Sequence, residues 1–226
     1  LLCCIYLGST YIEFDNVEVP ASYLLGRENQ GFEIIMSSMH LIDYTQCFKT
    51  RSILTQSCFL ADFNHERLWL ACTSLRLARC CIEDAYKYAQ VRETFGKPLL
   101  ANQVIRAKFS AGGRKVDSAT ALMEQLVFME QARSTNGVSS GGGPGGREIY
   151  LGGQFANLKI LCGQTLEFVS REMQQVMGGL GYSRGGRGAR VEQISRDVRV
   201  MVVGGGSEEI LTELSIAQEQ RAMAKL

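Results

Sequence analysis

Apolar residues recur at alternating steps of three and four in three long stretches, the spacing that keeps one stripe of a helix against a partner. In the first, Phe63 to about Arg92, the stripe is Leu68, Ala71, Leu75, Ala78, Ile82, Ala85 and Ala89. Asn64 reads as its N-cap, Glu66 falls in its first turn, and Gly96 and Pro98 close its far end. Arg79, Glu83 and Lys87 sit at i,i+4 spacing on another face. The second helix is predicted from Ala101 to about Ala132, with Val116, Ala119, Met123, Leu126 and Val127 inward. Inside it, Gly112 and Gly113 cost roughly 1 kcal/mol each relative to Ala, and mark a close crossing or a kink. In the third, Leu151, Phe155, Leu158, Cys162, Leu166, Val169, Met173 and Val176 keep the same steps. A short helix over 190–201 and a last one capped by Ser207, running to about Ala224, complete the pattern.

The start of the chain reads differently. Residues 9–19 alternate and are β-branched up to Pro20, which predicts a strand followed by a turn. A lone strand leaves its backbone groups unpaired. Asn29 to Met36 reads as a short helix, 39–62 sustains neither period, and 134–146 is a Gly-rich loop. The fold class is therefore mainly α, an antiparallel helical bundle preceded by one strand. The division is 1–26 as strand and linker and 27–226 as the bundle domain.

Composition narrows the partners. Lys and Arg total 24 against 23 Asp and Glu, so no basic footprint for nucleic acid exists. No run of eighteen apolar residues suggests a membrane span. The 8 Cys include no CxxC pair and there are 2 His, which favours buried thiols in a reducing compartment over disulfides or a metal centre. Residues 1–7 are apolar without a basic n-region and do not read as a signal peptide.

Taken alone, Glu66 is a solvated first-turn carboxylate, Arg67 a surface arginine, and Arg92 a complement to a helix C-terminus. GGLGYSRGGRG (178–188) ends a helix on glycine; with no preceding strand it is not a dinucleotide fingerprint.

Six strings together change those readings: VPASYLLGRENQGFEIIM (19–36), FNHERL (63–68), RETFGKPL (92–99), QQVMGGLGY (174–182), RVEQISRDVR (190–199) and GGGSEEI (204–210). In order and spacing the chain resembles the C-terminal helical half of the flavin-dependent acyl-CoA dehydrogenases. The resemblance identifies residues 9–19 as the last strand of that family's central β domain, so that the chain starts mid-fold, and marks 39–62 as a non-family insertion.

The resemblance implies FAD as cofactor and α,β-desaturation of a fatty acyl-CoA thioester. Family members place the catalytic glutamate either just before the last Gly-Ser motif or in the helix-opening motif. This chain has Gly205 in the first place and Glu66 in the second, so Glu66 is the expected base, and such a base works best when partly buried. By the same resemblance, Asn64 and Arg67 meet the acyl-CoA. Arg92, Phe95, Gln103, Gln175, Gly178, Gly179, Ser207 and Glu209 meet FAD, with Arg92 reaching a neighbouring subunit's pyrophosphate. Arg196–Asp197 is read as a structural pair. No metal is implied. A homodimer or homotetramer and electron-transfer flavoprotein are the implied partners.

Ala224–Lys225–Leu226 resembles a peroxisomal address, with the mitochondrial matrix as the alternative location. Two other functions stay open: a truncated, non-catalytic chain that binds FAD poorly and acts through helix association, and a flavoprotein of the same fold working on another carbon acid.

Overall fold

The computed structural model describes residues 11–24, 27–29, 54–135 and 151–223. The chain divides into two compact units, Leu1–Phe63 and Asn64–Leu226. In the first, residues 11–24 are exposed and carry one 3-10 turn, Ala21–Tyr23. The strand expected over 9–19 is not formed over the described 11–19. The physical reason is the one its isolation dictates: a strand is held by a ladder partner, and residues 11–19 have none among the described residues. The short helix of 29–36, most of the aperiodic 39–62, most of the Gly-rich loop and the tripeptide Ala224–Lys225–Leu226 lie outside the described residues.

Five helices carry the rest: α1 (Leu54–Val91), α2 (Gln103–Thr135), α3 (Gly152–Met177), α4 (Ala189–Val203) and α5 (Glu208–Met223). The periodic stripes predict α2 to α5 to within a few residues. The start of α1 needs a correction. It begins at Leu54, so Asn64 is not its N-cap and Glu66 is far from the positive end of the helix dipole. The reason is local: LTQSCFLADF contains no Gly or Pro, and extending an established helix is far easier than nucleating one. At 38 residues α1 is about 57 Å long. The side chain of Glu83 also pairs differently, with Arg76 two turns back at 3.2 Å.

Between α1 and α2 runs a two-residue hairpin, β1 (Glu93–Thr94) against β2 (Lys97–Pro98), antiparallel with Glu93 opposite Pro98. Asn102 then caps α2, its Oδ1 accepting from the Val104 amide at 2.9 Å.

Contacts fix the direction of every helix. Ile82 meets Gly112 and Tyr86 stacks edge-on with Phe109, which makes α2 antiparallel to α1. Lys108 pairs with Glu172, and the Lys115 ammonium lies 5.1 Å from the Phe168 ring centre, which makes α3 antiparallel to α2. Arg190 binds Asp84 and Arg199 binds Glu167, so α4 runs against both α1 and α3. Gly153 meets Ser215 while Gln164 meets Glu208, so α5 also runs against α3.

Helix α3 is the centre. Leu158, Cys162, Leu166, Val169 and Met173 are fully buried, and one core cluster joins Ala71 and Leu75 of α1, Ala119 and Leu126 of α2, and Leu151, Phe155, Leu158 and Cys162 of α3. Of the paired glycines, Gly112 is the crossing residue: a methyl there would lie 3.5 Å from Val169 and 3.6 Å from Ile82. A methyl on Gly113 would meet nothing within 4 Å, and α2 runs through both without a break.

Two predictions follow from this packing. A methyl at Gly188 would sit 1.9 Å from the Leu180 carbonyl oxygen, a backbone atom that cannot swing aside. Gly188→Ala is expected to cost at least about 2 kcal/mol in urea denaturation, whereas Gly113→Ala gains about 0.5–1 kcal/mol.

The second concerns thiols. Burial pushes Cys81 up to about 12, with Cys80 and Asp84 adding and Arg190 opposing, and burial with Cys72 pushes Cys162 up to about 12, against an ordinary 9.0. Above pH 9.0 the unfolded chain loses these protons while the folded chain keeps them. The stability they give is complete below that pH and falls as pH rises toward 12, by up to about 1.4 kcal/mol per unit for each thiol. Urea midpoints at about pH 8 and pH 10.5 should diverge less in Cys81→Ala than in wild type.

Candidate functional site

The expected site residues collect at the two ends of the second unit. At one end, Arg67 and Leu70 of α1 meet the turn between α4 and α5. Arg67 is only 7% exposed; its Nε donates to the Gly205 carbonyl at 3.4 Å and its Nη1 to Asn64 Oδ1 at 3.1 Å. Glu66, half-buried, lies within electrostatic range of both Arg67 and Lys159. Burial pulls the Arg67 guanidinium below its ordinary value, and Glu66 opposes that pull. Ser207 is half-buried, and Leu211 donates its amide to the Ser207 carbonyl, so Ser207 opens α5 as expected. Glu209 is exposed; its own backbone amide and the Ser207 hydroxyl hold its carboxyl below the usual range.

Gly205 explains why no carboxylate stands in the turn. Its φ is +68°, and a Cβ there would lie 2.9 Å from Leu70 Cδ1 and 3.6 Å from Arg67 Cγ. A side chain here would be strained at that φ and would have to push the Leu70 methyl aside.

Lys159 is a residue that the sequence reading missed. It is 2% exposed, on α3, directly behind the turn. Its Nζ donates to the Gly206 carbonyl at 2.7 Å and to the Val202 carbonyl. A signal was present: Lys159 stands four residues after Phe155 and three before Cys162, inside the apolar stripe. A lysine in that register is buried.

The other end gathers the remaining residues. Gln175 and Gly178 line a cavity of about 300 Å3 with Arg171, Gln174, Gly181 and Tyr182. Gly178 has φ +57°, and a Cβ on Gly178 or Gly179 would meet nothing within 4 Å, so bare backbone faces open space beside the cavity. Gln174 Nε2 holds the loop by donating to the Gly181 carbonyl and Ser195 Oγ, each at 2.9 Å. Arg92, Phe95 and Gln103, all exposed, belong to the same end, because the Lys108–Glu172 pair ties the start of α2 to the last turns of α3. Arg196 grips Glu192 through two bonds of 2.8 and 3.2 Å, a structural pair within α4, though its partner is not Asp197.

The structure does not bring the two ends together. Glu66 stands on α1 and Arg92 directly follows its last residue, 26 residues or about 39 Å away at the helical rise. One dinucleotide beside Glu66 cannot also touch Arg92 of the same chain.

Among the described residues no cluster of three or more metal-ligating side chains occurs, and no helix is long and apolar enough to cross a membrane. What the two ends offer is a half-buried carboxylate flanked by buried cations at one, and a glycine-floored cleft rimmed by Arg and Gln at the other.

A mainly helical bundle of this kind is the fold of the acyl-CoA dehydrogenase C-terminal domain. Residues 57–219 match the family described as the acyl-CoA dehydrogenase C-terminal domain, and the chain belongs to that family. An acyl-CoA dehydrogenase of Alternaria alternata is 44% identical over 214 residues, covering 95% of this chain and 42% of that protein. The acyl-CoA dehydrogenase apdG of Emericella nidulans is 32% identical over 211 residues, covering 93% and 41%. The chain thus spans about two fifths of the length of these relatives. Among solved structures, butyryl-CoA dehydrogenase from Megasphaera elsdenii superposes with a TM-score of 0.61 at 23% identity, over 92% of this chain and 43% of that one. At that identity the likeness is one of fold.

Phe95 allows a direct test of local strain. It is fully exposed (105%) at φ +53°, followed by Gly96 at φ +74°, the two left-handed positions of a type I′ turn that Asn-Gly fills best. A bulky aromatic held there costs roughly 1 kcal/mol or more. Phe95→Asn should therefore raise the unfolding free energy measured in urea by about 1 kcal/mol, although it removes the largest side chain of the hairpin.

Proposed function

We propose that this chain supplies the helical half of an FAD-dependent acyl-CoA dehydrogenase, which introduces a double bond between the α and β carbons of a fatty acyl-CoA thioester. Glu66 is the base. The observation that carries this reading is the junction at the head of the second unit: a half-buried Glu66 beside Arg67, against a turn whose Gly205, at φ +68° and close to Leu70, disfavours a side chain.

Bound FAD supplies the chemistry of accepting a hydride from the β carbon. The chain's own residues do the rest. Glu66 takes the proton from the α carbon; its partial burial limits competition from water. Arg67, fixed by Asn64 and the Gly205 carbonyl, presents a set charge beside that carboxylate and, with Asn64, faces the acyl-CoA. Ser207 and Glu209, at the start of α5, contact the flavin.

Residues at the far end fit a pyrophosphate. Gln175 and Arg171 rim the cleft, and Gly178 and Gly179 leave backbone open to phosphate oxygens. The distance of about 39 Å between Glu66 and Arg92 supports a shared site. Arg92, Phe95 and Gln103 then serve the cofactor of a neighbouring copy, in a homodimer or homotetramer. Electron-transfer flavoprotein, or oxygen, takes the electrons onward. The ending Ala224–Lys225–Leu226 supports a peroxisomal location.

A second reading, association through helical faces without catalysis, draws on the two-fifths coverage of relatives and on exposed Trp69, Phe128, Val200, Val203 and Ile210. One experiment separates the two: the visible spectrum of the protein with FAD and a panel of acyl-CoAs. Wild type should bleach the flavin band with at least one thioester, and Glu66→Gln should slow the bleaching by about 10²–10⁴-fold without releasing flavin. Bleaching at the wild-type rate in Glu66→Gln would sink the assignment of the base. Failure of wild type to hold FAD at all would leave association as the function.

A further inference from the structure

A lysine whose side chain is 2% exposed is rare, because its charge is stripped of water. Such a group is retained where its donors are used. Lys159 uses two of its three on backbone carbonyls that nothing else in their own helix can satisfy. The Val202 carbonyl is one of the last four of α4, which have no intrahelical donor, and the Gly206 carbonyl closes the turn that follows. The two carbonyls bracket Gly205. Gly205 in turn offers its own carbonyl to Arg67 Nε at 3.4 Å.

The turn has little else to fix it. Gly204, Gly205 and Gly206 are consecutive, with φ of +68° and +117° at the last two, so the free backbone here is unusually permissive. Its own backbone bonds are Gly204 to the Val200 carbonyl at 2.9 Å and Gly206 to the Val203 carbonyl at 3.3 Å. Three charged groups on two elements face the ammonium: Glu66 and Arg67 on α1, and Glu208 on α5. The carboxylates favour its charge and Arg67 opposes it.

We propose that Lys159 is a positioning residue for the base: by clamping Val202 and Gly206 it holds the Gly205 carbonyl beneath Arg67, and so sets where Arg67 and Glu66 stand against the turn. Lys159 does this from behind the turn and touches no substrate. The inference rests on the reading of Glu66 as base for its catalytic part alone; the clamp itself does not depend on it.

The test has an arm for each. Amide hydrogen exchange is measured on wild type, Lys159→Met and Lys159→Gln. In Lys159→Met the amides of Gly204, Gly206 and Leu211 should exchange about ten-fold faster or more, while α2 and the middle of α3 keep wild-type protection. Unchanged exchange in the turn, or loosening spread evenly over α2 and α3, would overturn the clamp. Lys159→Gln keeps a donor on a shorter arm and is read in the same way if Lys159→Met does not fold.

The second arm uses the FAD-loaded protein and whichever acyl-CoA bleaches it. Lys159→Met should lower kcat by about ten-fold or more and leave KM within about two-fold, because a base displaced by a fraction of an ångström loses rate and not binding. A loosened turn with unchanged kcat would refute the positioning role. Absence of turnover in wild type would count against Glu66 as base, and the exchange arm would still decide the clamp.

Discussion

The burial of most of α3 governs this molecule. It packs α2, α4 and α5 against its flanks and shares one apolar cluster with α1. On its inward faces a polar side chain has little water to reach and needs a partner within the protein, while Asn157, Gln164, Arg171 and Gln175 keep a solvent-facing stripe. Lys159 goes to the α4–α5 turn, Glu172 to Lys108 and Gln174 to the glycine loop. These three residues are spread over α3 and tie it to the segments that form both ends of the site. The hydrophobic core and the functional geometry are therefore one construction: the helix that the core is built on also orients the loops.

Much of this was legible from spacing. The stripes of α2 and α3 name core residues that are buried, and Gly112 was expected at a crossing or a kink and proves to be the crossing. What spacing could not give was the onset of α1. Residues 54–63 obey no apolar period, yet propensity and continuation from the following turns suffice to make them helical. That error moved Glu66 from a first turn to mid-helix and removed the helix dipole from its electrostatics. The cations beside Glu66 are side chains, Arg67 and Lys159, and one of them lies 93 positions away in sequence. Its only trace was register, a lysine inside an apolar stripe, which reads as an interruption until the turn that accepts its protons is in place.

Gly205 shows how the resemblance and the packing speak to each other. Resemblance gives two alternative places for a carboxylate and finds one of them empty. Backbone and packing supply a reason for that emptiness, since Gly205 sits at φ +68° and a Cβ there would press on the Leu70 methyl. Leu70 and Arg67 are separated by about one turn of the helix that also carries Glu66, so the surface that excludes a side chain from the turn is formed by the element that offers the other carboxylate. The two places are thus coupled by sterics, and a change at one alters the constraint on the other.

The length of α1 constrains the site more than any single contact. Two groups fixed about 39 Å apart on a stiff rod cannot converge on one bound molecule, whatever the loops do. Either the residues at the hairpin end are unrelated to the carboxylate end, or each copy of the chain completes a site that another begins. The cleft of Arg171, Gln175 and Gly178 bears on this choice, because it lies at the hairpin end with bare glycine backbone facing outward. At that same end Phe95 is fully exposed in a conformation that costs energy, and strain at a fully exposed aromatic gains nothing inside its own fold. An open cleft and a strained surface aromatic, both far from Glu66, are the features on which the proposal of a shared site rests.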